Sequence, residues 1–184
     1  FEAKYIGGER FDFSQQSGKP TVLIFFLHTC PHCHHALKFF QKHLAKIPEE
    51  KRPELIAISL QNRPSAVRNA LKAEGLDFFK PLVDPGQEVS QLYGLAGGVP
   101  DISMINAKGE IIYRSQGWRD ERDPSLMRMY LARIAGERIP MLLSKKGYAG
   151  NDVCAACHPN QNASWELTRH ATAYSTLVTH GEER

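Results

Sequence analysis

A continuous apolar run is followed almost at once by a pair of cysteines. The run is Thr21–Leu27, rich in β-branched and aromatic residues, and the pair is contained in Cys30-Pro31-His32-Cys33. An apolar run without alternation is typical of a strand that is buried on both faces, as in a sheet covered by helices. The sequence therefore predicts a layered α/β architecture in which the cysteines follow a central strand.

The residues after Cys30 have the apolar spacing of an amphipathic helix. The predicted buried stripe of this helix consists of Cys33, Ala36, Leu37, Phe40, Leu44 and Ile47. Pro48 ends the pattern, because proline is not compatible with the interior of a helix. The two cysteines therefore lie at the start of a helix, and Cys33 lies on its apolar face.

The rest of the first 136 residues continues the alternation of strands and helices. The predicted elements are a strand at Leu55–Leu60, a helix from Pro64 to Gly75, a loose stretch from Leu76 to Pro85, a short helix ending at Gly94, a hairpin of Ile102–Ile105 and Glu110–Arg114, and a helix capped by Asp123 and ended by Gly136. The predicted order is β-α-β-α-(short α)-β-β-α, an α/β sandwich.

The position of the first cysteine pair suits thiol–disulfide chemistry. Free N–H groups and the positive end of the helix dipole stabilise a thiolate at Cys30, which is the expected nucleophile. Cys33 would resolve the mixed disulfide from a more buried position. His32 supplies a hydrogen-bond donor or, when protonated, a positive charge beside the thiolate.

Another motif, Gly98-Val99-Pro100, precedes the Ile102 strand. Together with the cysteine pair, it makes the region from Phe1 to about Gly136 resemble the thioredoxin-fold TlpA/ResA-like thiol–disulfide proteins of the periplasm. The resemblance implies that Val99-Pro100 is a cis peptide packed against the cysteine pair, which makes Pro100 a site residue. The Pro-His dipeptide between the cysteines resembles that of the oxidising DsbA proteins.

Two positions depart from this family. Thr29 stands where a tryptophan usually precedes the first cysteine, and Ile24 stands where thioredoxins carry a buried acid. The resemblance therefore implies that proton transfer to Cys33 lacks its usual helper. Two alternatives remain open, namely a thioredoxin fold kept for docking with an idle dithiol, and a metal site made of Cys30, Cys33 and nearby histidines.

The second cysteine pair has the spacing of covalent c-type haem attachment. In Cys154-Ala155-Ala156-Cys157-His158 the two thiols would form thioethers, and His158 would be the proximal ligand of the haem iron. Candidates for the opposite ligand are Met141, His170 and His180. A zinc finger fits less well, since nine residues separate His170 from His180 and no hairpin is indicated; a plain redox pair is the other alternative.

The residues around this motif resemble the start of cytochrome c554-like multihaem proteins. The resemblance rests on Tyr148–Pro159, Trp165 and Arg169-His170-Ala171, and covers about the last 37 residues. It implies that His170 is the distal ligand of an iron. Members of that family carry further Cys-x-x-Cys-His motifs, so the resemblance also implies a truncated haem domain and more than one haem c in the intact protein.

Composition narrows the function classes. The chain has 184 residues, 42% of them apolar and 23% charged, with a net charge of +3, which excludes disorder as the main state and disfavours nucleic acid as a partner. The longest apolar run, Val22–Leu27, is too short to span a membrane. The expected domains are a thioredoxin-like domain at 1–137, a linker at 138–150 and a small, mostly helical haem-binding segment at 151–184.

These observations predict a thiol–disulfide oxidoreductase coupled to a covalent haem for electron transfer. The expected partner is a protein dithiol or disulfide, or an electron-transfer protein. Stable disulfides and c-type haem both form outside the bacterial cytoplasm, so the expected location is the periplasm, with any membrane anchor outside this sequence. The alternative is an electron-carrier cytochrome whose thioredoxin domain docks or senses redox state.

Overall fold

The computed structural model describes residues 1–60, 63–84, 86–95, 98–136, 155 and 158–168. The chain divides into two compact units, Phe1–Arg138 and Ile139–Arg184. The predicted linker, 138–150, lies outside the described residues. Of the predicted haem-binding segment, 151–184, the structure describes Ala155 and residues 158–168.

The described part of the first unit contains one mixed sheet of seven strands. The strands are β1 (Glu2–Tyr5), β2 (Arg10–Asp12), β3 (Thr21–Phe26), β4 (Glu54–Ser59), β5 (Leu82–Val83), β6 (Asp101–Ile105) and β7 (Ile111–Gln116). Their order across the sheet is β2-β1-β5-β4-β3-β6-β7. The three strands β3, β4 and β5 run parallel, and the remaining neighbours pair antiparallel. The predicted α/β thioredoxin-like sandwich is confirmed.

Proline helps to begin most of the described helices. The helices are α1 (Pro31–Leu44), α2 (Pro64–Ala73), α3 (Glu88–Leu92), α4 (Asp123–Ile134) and, in the second unit, α5 (Pro159–Glu166). All except α3 carry proline in the first turn, where its missing N–H has no intrahelical partner to lose. Two short 3₁₀ turns, Phe13–Gln16 and Glu49–Lys51, complete the elements of the described residues.

The central strand β3 separates two apolar clusters, one on each face of the sheet. All six of its residues are buried, and alternate side chains point to opposite faces. Val22, Ile24 and Phe26 pack with apolar residues of α1, α2 and α4. Leu23 and Phe25 pack with the other cluster, which includes a residue of α3. Of the cysteines that follow β3, Cys33 belongs to the larger cluster and Cys30 packs against it.

The structure differs from the sequence-based expectations at four places. The hairpin β1–β2 and the short strand β5 lie where no strand was predicted; they are two to four residues long and mostly half-exposed, so they lack a clear apolar pattern. Helix α1 ends at Leu44 rather than near Pro48, because the next backbone hydrogen bonds tighten to the 3₁₀ pattern. Asp123 lies inside α4, and Arg122 is its N-cap.

Within the part of the chain that the structure describes, no helix has the length and apolarity needed to cross a bilayer.

Candidate functional site: a dithiol at the start of a helix

Cys30 is the N-cap residue of α1. Its Sγ accepts a hydrogen bond from the backbone N–H of Cys33 at 3.3 Å, and its carbonyl oxygen accepts from the N–H groups of Cys33 and His34. Both thiols are free. A sulfur that caps a helix receives N–H donors and the positive end of the dipole, which are the interactions that stabilise a thiolate.

The two thiols differ in exposure. Cys30 is half-buried, whereas Cys33 is fully buried in the larger apolar cluster. This burial raises the pKa of the Cys33 thiol well above its ordinary value, and its hydrogen bond with Cys30 adds to the shift. The accessible sulfur is therefore the one at the helix cap, and the second thiol is kept protonated one turn further on.

A loop before β6 lies against the dithiol. Val99-Pro100 is a cis peptide, so this prediction is confirmed. The carbonyl oxygen of Val99 lies 3.9 Å from the Sγ of Cys30, and Val99 packs against the cluster that contains Cys33. The carbonyl oxygen of Pro100 accepts a hydrogen bond from the backbone N–H of Gly117, which joins the loop to the end of β7.

None of the buried carboxylates of the described residues serves Cys33. Ile24, at the position of the thioredoxin acid, is buried and apolar. Asp101 is paired with Arg114 at 2.8 Å and shares its sheet face with Phe25, on the side away from the cluster of Cys33. Asp84 accepts from two backbone N–H groups of α3, and Asp123 from the N–H of Arg119. Each of these carboxylates stabilises local structure.

An exposed carboxylate contacts the first turns of α1. Asp120, in the loop after β7, lies 2.9 Å from the Nδ1 of His35 through its Oδ2, and its Oδ1 accepts a hydrogen bond from the Nε1 of Trp118 at 2.6 Å. The Trp118 hydrogen bond, followed by the His35 interaction, lowers the pKa of Asp120. No sequence signal links positions 35 and 120, and neither Trp118 nor Asp120 was among the predicted site residues.

The histidines of α1 take different positions. His32, between the cysteines, is exposed, and its ring centroid lies 6.4 Å from that of His35. Only 14% of the His34 side chain is exposed, because it contacts the carbonyl oxygen of His28 and the carboxylate of Glu74. Among the described residues, no three or more histidine, cysteine and acidic side chains are arranged to hold a metal ion.

Only part of the second motif lies in the described residues. His158 is the N-cap of α5; it is exposed, and its side chain makes no capping hydrogen bond. Cys154, Cys157 and His170 lie outside the described residues. In and just after α5, Trp165 is 36% and Leu167 is 91% exposed. These described residues leave an imidazole and apolar surface available for a haem.

Models of known protein families match two regions of the chain. The Redoxin family model matches residues 2–129, and the model of cytochrome c554 and c-prime matches residues 153–184. The second match is short and gives only weak support for a haem domain. No curated protein matches the chain.

Solved structures with the same fold include several thiol–disulfide proteins. A Chlorobium tepidum protein provisionally named thiol:disulfide interchange protein DsbE has 20% identity and a TM-score of 0.66, over 74% of this chain and 93% of its own. A secreted Mycobacterium tuberculosis disulfide oxidoreductase homologous to Escherichia coli DsbE has 20% identity and a TM-score of 0.62, over 72% and 95%. StoA of Bacillus subtilis has 27% identity and a TM-score of 0.54, over 65% and 88%.

The family match, the fold and the free cysteine pair agree with one another. The matched region extends from β1 into α4 and contains Cys30, Cys33 and Pro100. Its fold is shared by solved structures that are described as thiol–disulfide proteins. Because the Redoxin model covers more than two thirds of the sequence, the chain belongs to the Redoxin family.

Proposed function

We propose that the first unit exchanges disulfides with a partner protein through Cys30 and Cys33, and that the second unit carries covalent haem c for electron transfer. The observation that carries the first proposal is the geometry of the cysteine pair. A half-buried Cys30 caps α1, and a fully buried Cys33 lies one turn further on. This arrangement offers one accessible sulfur and one protected sulfur to a substrate.

In the reducing direction, the Cys30 thiolate attacks a sulfur of the partner disulfide. A bond forms between Cys30 and that sulfur, the partner S–S bond breaks, and the released partner thiolate takes a proton. The Cys33 thiol loses its proton to solvent as it attacks the sulfur of Cys30, which closes the Cys30–Cys33 disulfide. The second partner sulfur leaves as a thiolate, which then takes up a proton. The enzyme dithiol loses two electrons and the partner gains two. The oxidising direction is the reverse sequence, and the relative potentials set the direction.

The exposed neighbours of Cys30 support protein-sized substrates. Cys30 lies between the first turn of α1 and the Val99 carbonyl oxygen, at the surface of the unit. A partner segment could approach this sulfur without opening the core. The periplasm is the proposed compartment, because stable disulfide chemistry and haem c attachment occur outside the cytoplasm and one structural relative is described as secreted.

The residues of the second motif fit a c-type haem. Cys154 and Cys157 would hold the porphyrin by thioether bonds, His158 would ligate the iron, and His170 is proposed as the distal ligand. Such a group supplies one-electron transfer. The exposed His158 side chain and the neighbouring exposed Trp165 and Leu167 support the proposal, as does the short match to cytochrome c554 and c-prime.

Thiol trapping tests the exchange reaction. The Cys30→Ser variant, incubated with a disulfide-bonded peptide, should form no mixed disulfide at the Cys30/Cys33 motif. Cys33→Ser should accumulate a mixed disulfide that peptide mapping places on Cys30. Reduction of the peptide by Cys30→Ser at the wild-type rate would overturn the proposal for the dithiol.

Spectroscopy tests the haem. Co-expression with haem c attachment proteins should give a Soret band that stays with the denatured polypeptide, since the bond is covalent. Cys154→Ser with Cys157→Ser should lose this band. Haem attachment without any disulfide exchange by Cys30 would favour the alternative, an electron-carrier cytochrome with a docking domain.

A further inference from the structure

The loop Gly98–Pro100, which leads into β6, lies beside the accessible sulfur of the dithiol. The carbonyl oxygen of Val99 is 3.9 Å from the Sγ of Cys30. Val99 packs against the apolar cluster that contains Cys33, and Pro100 is buried. The backbone of this loop therefore forms a wall beside the sulfur at the helix cap, and the contacts that hold the loop determine where that wall stands.

The end of β7 contacts this loop on both of its flanks. After the loop, the Nε2 of Gln116 donates a hydrogen bond to the carboxylate of Asp101 at 3.0 Å. Before Val99, Gly98 lies so close to Gln116 that a Cβ on the glycine would be 3.4 Å from the Cβ of Gln116. The next residue, Gly117, donates its backbone N–H to the carbonyl oxygen of Pro100 at 2.8 Å. The side chain of Gln116 thus touches the chain on either side of Val99-Pro100.

The contact made by Gln116 is separable from the stability of the sheet. Asp101 is fully buried, and Arg114 pairs with it through hydrogen bonds from its Nε at 2.9 Å and from a terminal nitrogen at 2.8 Å. The buried carboxylate therefore keeps its ion pair when Gln116 loses its amide. The backbone pairing of Asp101 with Gln116 does not depend on the glutamine side chain. A substitution at position 116 should loosen the loop rather than unfold the sheet.

We propose that Gln116 is a positioning residue for disulfide exchange, which holds the Val99 carbonyl group beside the sulfur of Cys30 so that a partner disulfide meets this sulfur from a fixed direction. Attack on a disulfide requires the attacking sulfur to be aligned with the S–S bond that breaks, and a fixed wall raises the fraction of encounters that have this alignment. The inference rests on the proposed function, because it concerns the approach of the partner disulfide.

The test compares a large and a small reagent on the same sulfur. Both rates are measured on the reduced full chain carrying Cys33→Ser, with peptide mapping of Cys30. The first is the rate of mixed-disulfide formation with a disulfide-bonded peptide that has no charged side chains, and the second is the rate of alkylation by iodoacetamide. Gln116→Met keeps a side chain of similar length without the amide donor. It should slow mixed-disulfide formation by about three- to tenfold, the scale of one net hydrogen bond, and should change alkylation by less than about twofold.

Two further variants separate positioning from a general loss of stability. Gln116→Lys restores a donor for the carboxylate of Asp101 and should recover most of the exchange rate. Gln41→Met is the matched control, because the Gln41 amide makes two hydrogen bonds that join α1 to the segment after α2, donating to Gly75 at 2.8 Å and accepting from Phe78 at 3.2 Å. This control should leave the ratio of the two rates unchanged.

The positioning role and the exchange function fail on different results. The positioning role is overturned if Gln116→Met leaves both rates unchanged or lowers them equally, if Gln116→Lys is as slow as Gln116→Met, or if Gln41→Met alters the ratio as strongly. Each of these results would retain disulfide exchange by Cys30. A Cys33→Ser chain with glutamine at position 116 that is alkylated at Cys30 but forms no mixed disulfide would overturn the exchange function itself, and the positioning role with it.

Discussion

Helices α1 and α5 both begin beside a cysteine motif and carry proline in their first turn, but they differ in packing. Six residues of α1 are buried, whereas α5 has no buried residue. The start of α1 is thus fixed by the apolar core of its own unit, and Cys30 and Cys33 are positioned before any partner arrives. The contrast shows what positions a Cys-x-x-Cys motif. The polypeptide alone can fix the two cysteines where the helix that follows them packs into an apolar core.

The difference is already present in the residue types. The buried face of α1 contains large apolar side chains at helical spacing, including Leu37, Phe40 and Leu44, and burial of each contributes roughly 1.5–3 kcal/mol. Helix α5 has the sequence PNQNASWE, in which Trp165 is the one large apolar residue. An added apolar surface is what the proposed haem would provide to α5.

The largest expected effect is on α1. Phe40 is fully buried and lies against Phe39 and Trp118. Phe40→Ala should reduce the free energy of unfolding by about 3–5 kcal/mol, because it removes apolar contacts and leaves a cavity. Urea unfolding followed by circular dichroism measures this loss. Phe40→Leu, which fills most of the space, is the matched control and should cost much less; a loss below about 1 kcal/mol for Phe40→Ala would mean that α1 is not held by this cluster.

The sequence predicted β3, α1 and the position of the dithiol well, because local residue patterns indicate them. The apolar run of β3, the stripe from Cys33 to Leu44 and the position of Cys30 at the helix start are all readable within about 25 residues. The Val99-Pro100 cis peptide followed from a resemblance. By contrast, the contact between His35 and Asp120 joins residues 85 positions apart. It depends on how the loop after β7 packs on α1, which no periodicity encodes.

Short strands were missed for a related reason. β5 has two residues, and β1 alternates between exposed and half-buried positions. Their place is set by pairing with strands distant in the sequence, β4 with β5 and β1 with β5, rather than by their own composition. The same limit applies to the second motif, where residue spacing indicates haem attachment but cannot give the fold around it.

A second prediction follows from the burial of Cys33. The pKa of its thiol is raised above the ordinary value of 9.0 in the folded protein, so the unfolded chain loses this proton first as pH rises. The stabilisation is complete below pH 9 and is lost above it, with a slope of at most about 1.4 kcal/mol per pH unit. Urea unfolding of the reduced protein between pH 8 and 10.5 should show this decline.

The matched variants for this effect are Cys33→Ala and Cys30→Ala. Cys33→Ala should be less stable at pH 8 but should lose less stability on the way to pH 10.5, whereas Cys30→Ala should keep the wild-type decline. Parallel curves for wild type and Cys33→Ala would show that Cys33 ionises as easily in the folded protein as in the unfolded chain.

A third prediction addresses α5 directly. If covalent haem supplies the missing apolar surface, its attachment should slow hydrogen exchange of the α5 amides by about tenfold or more relative to the haem-free chain. The amides of β3 should exchange at the same rate in both forms and serve as the internal control. Amides of α5 that are already as protected as those of β3 without haem would contradict the proposed role of haem in ordering this segment.

The smallest expected effect is for substitutions in and after α5 in the haem-free chain. Leu167 is 91% exposed, so Leu167→Ala removes almost no buried surface and should change the free energy of unfolding by no more than about 0.5 kcal/mol. The comparison with Phe40→Ala, measured in the same urea titration, is the sharpest form of the contrast between the two helices. A loss above about 1 kcal/mol for Leu167→Ala would mean that this segment is buried against protein in solution. The second motif would then have apolar support of its own, and haem would no longer be needed to explain how α5 is held.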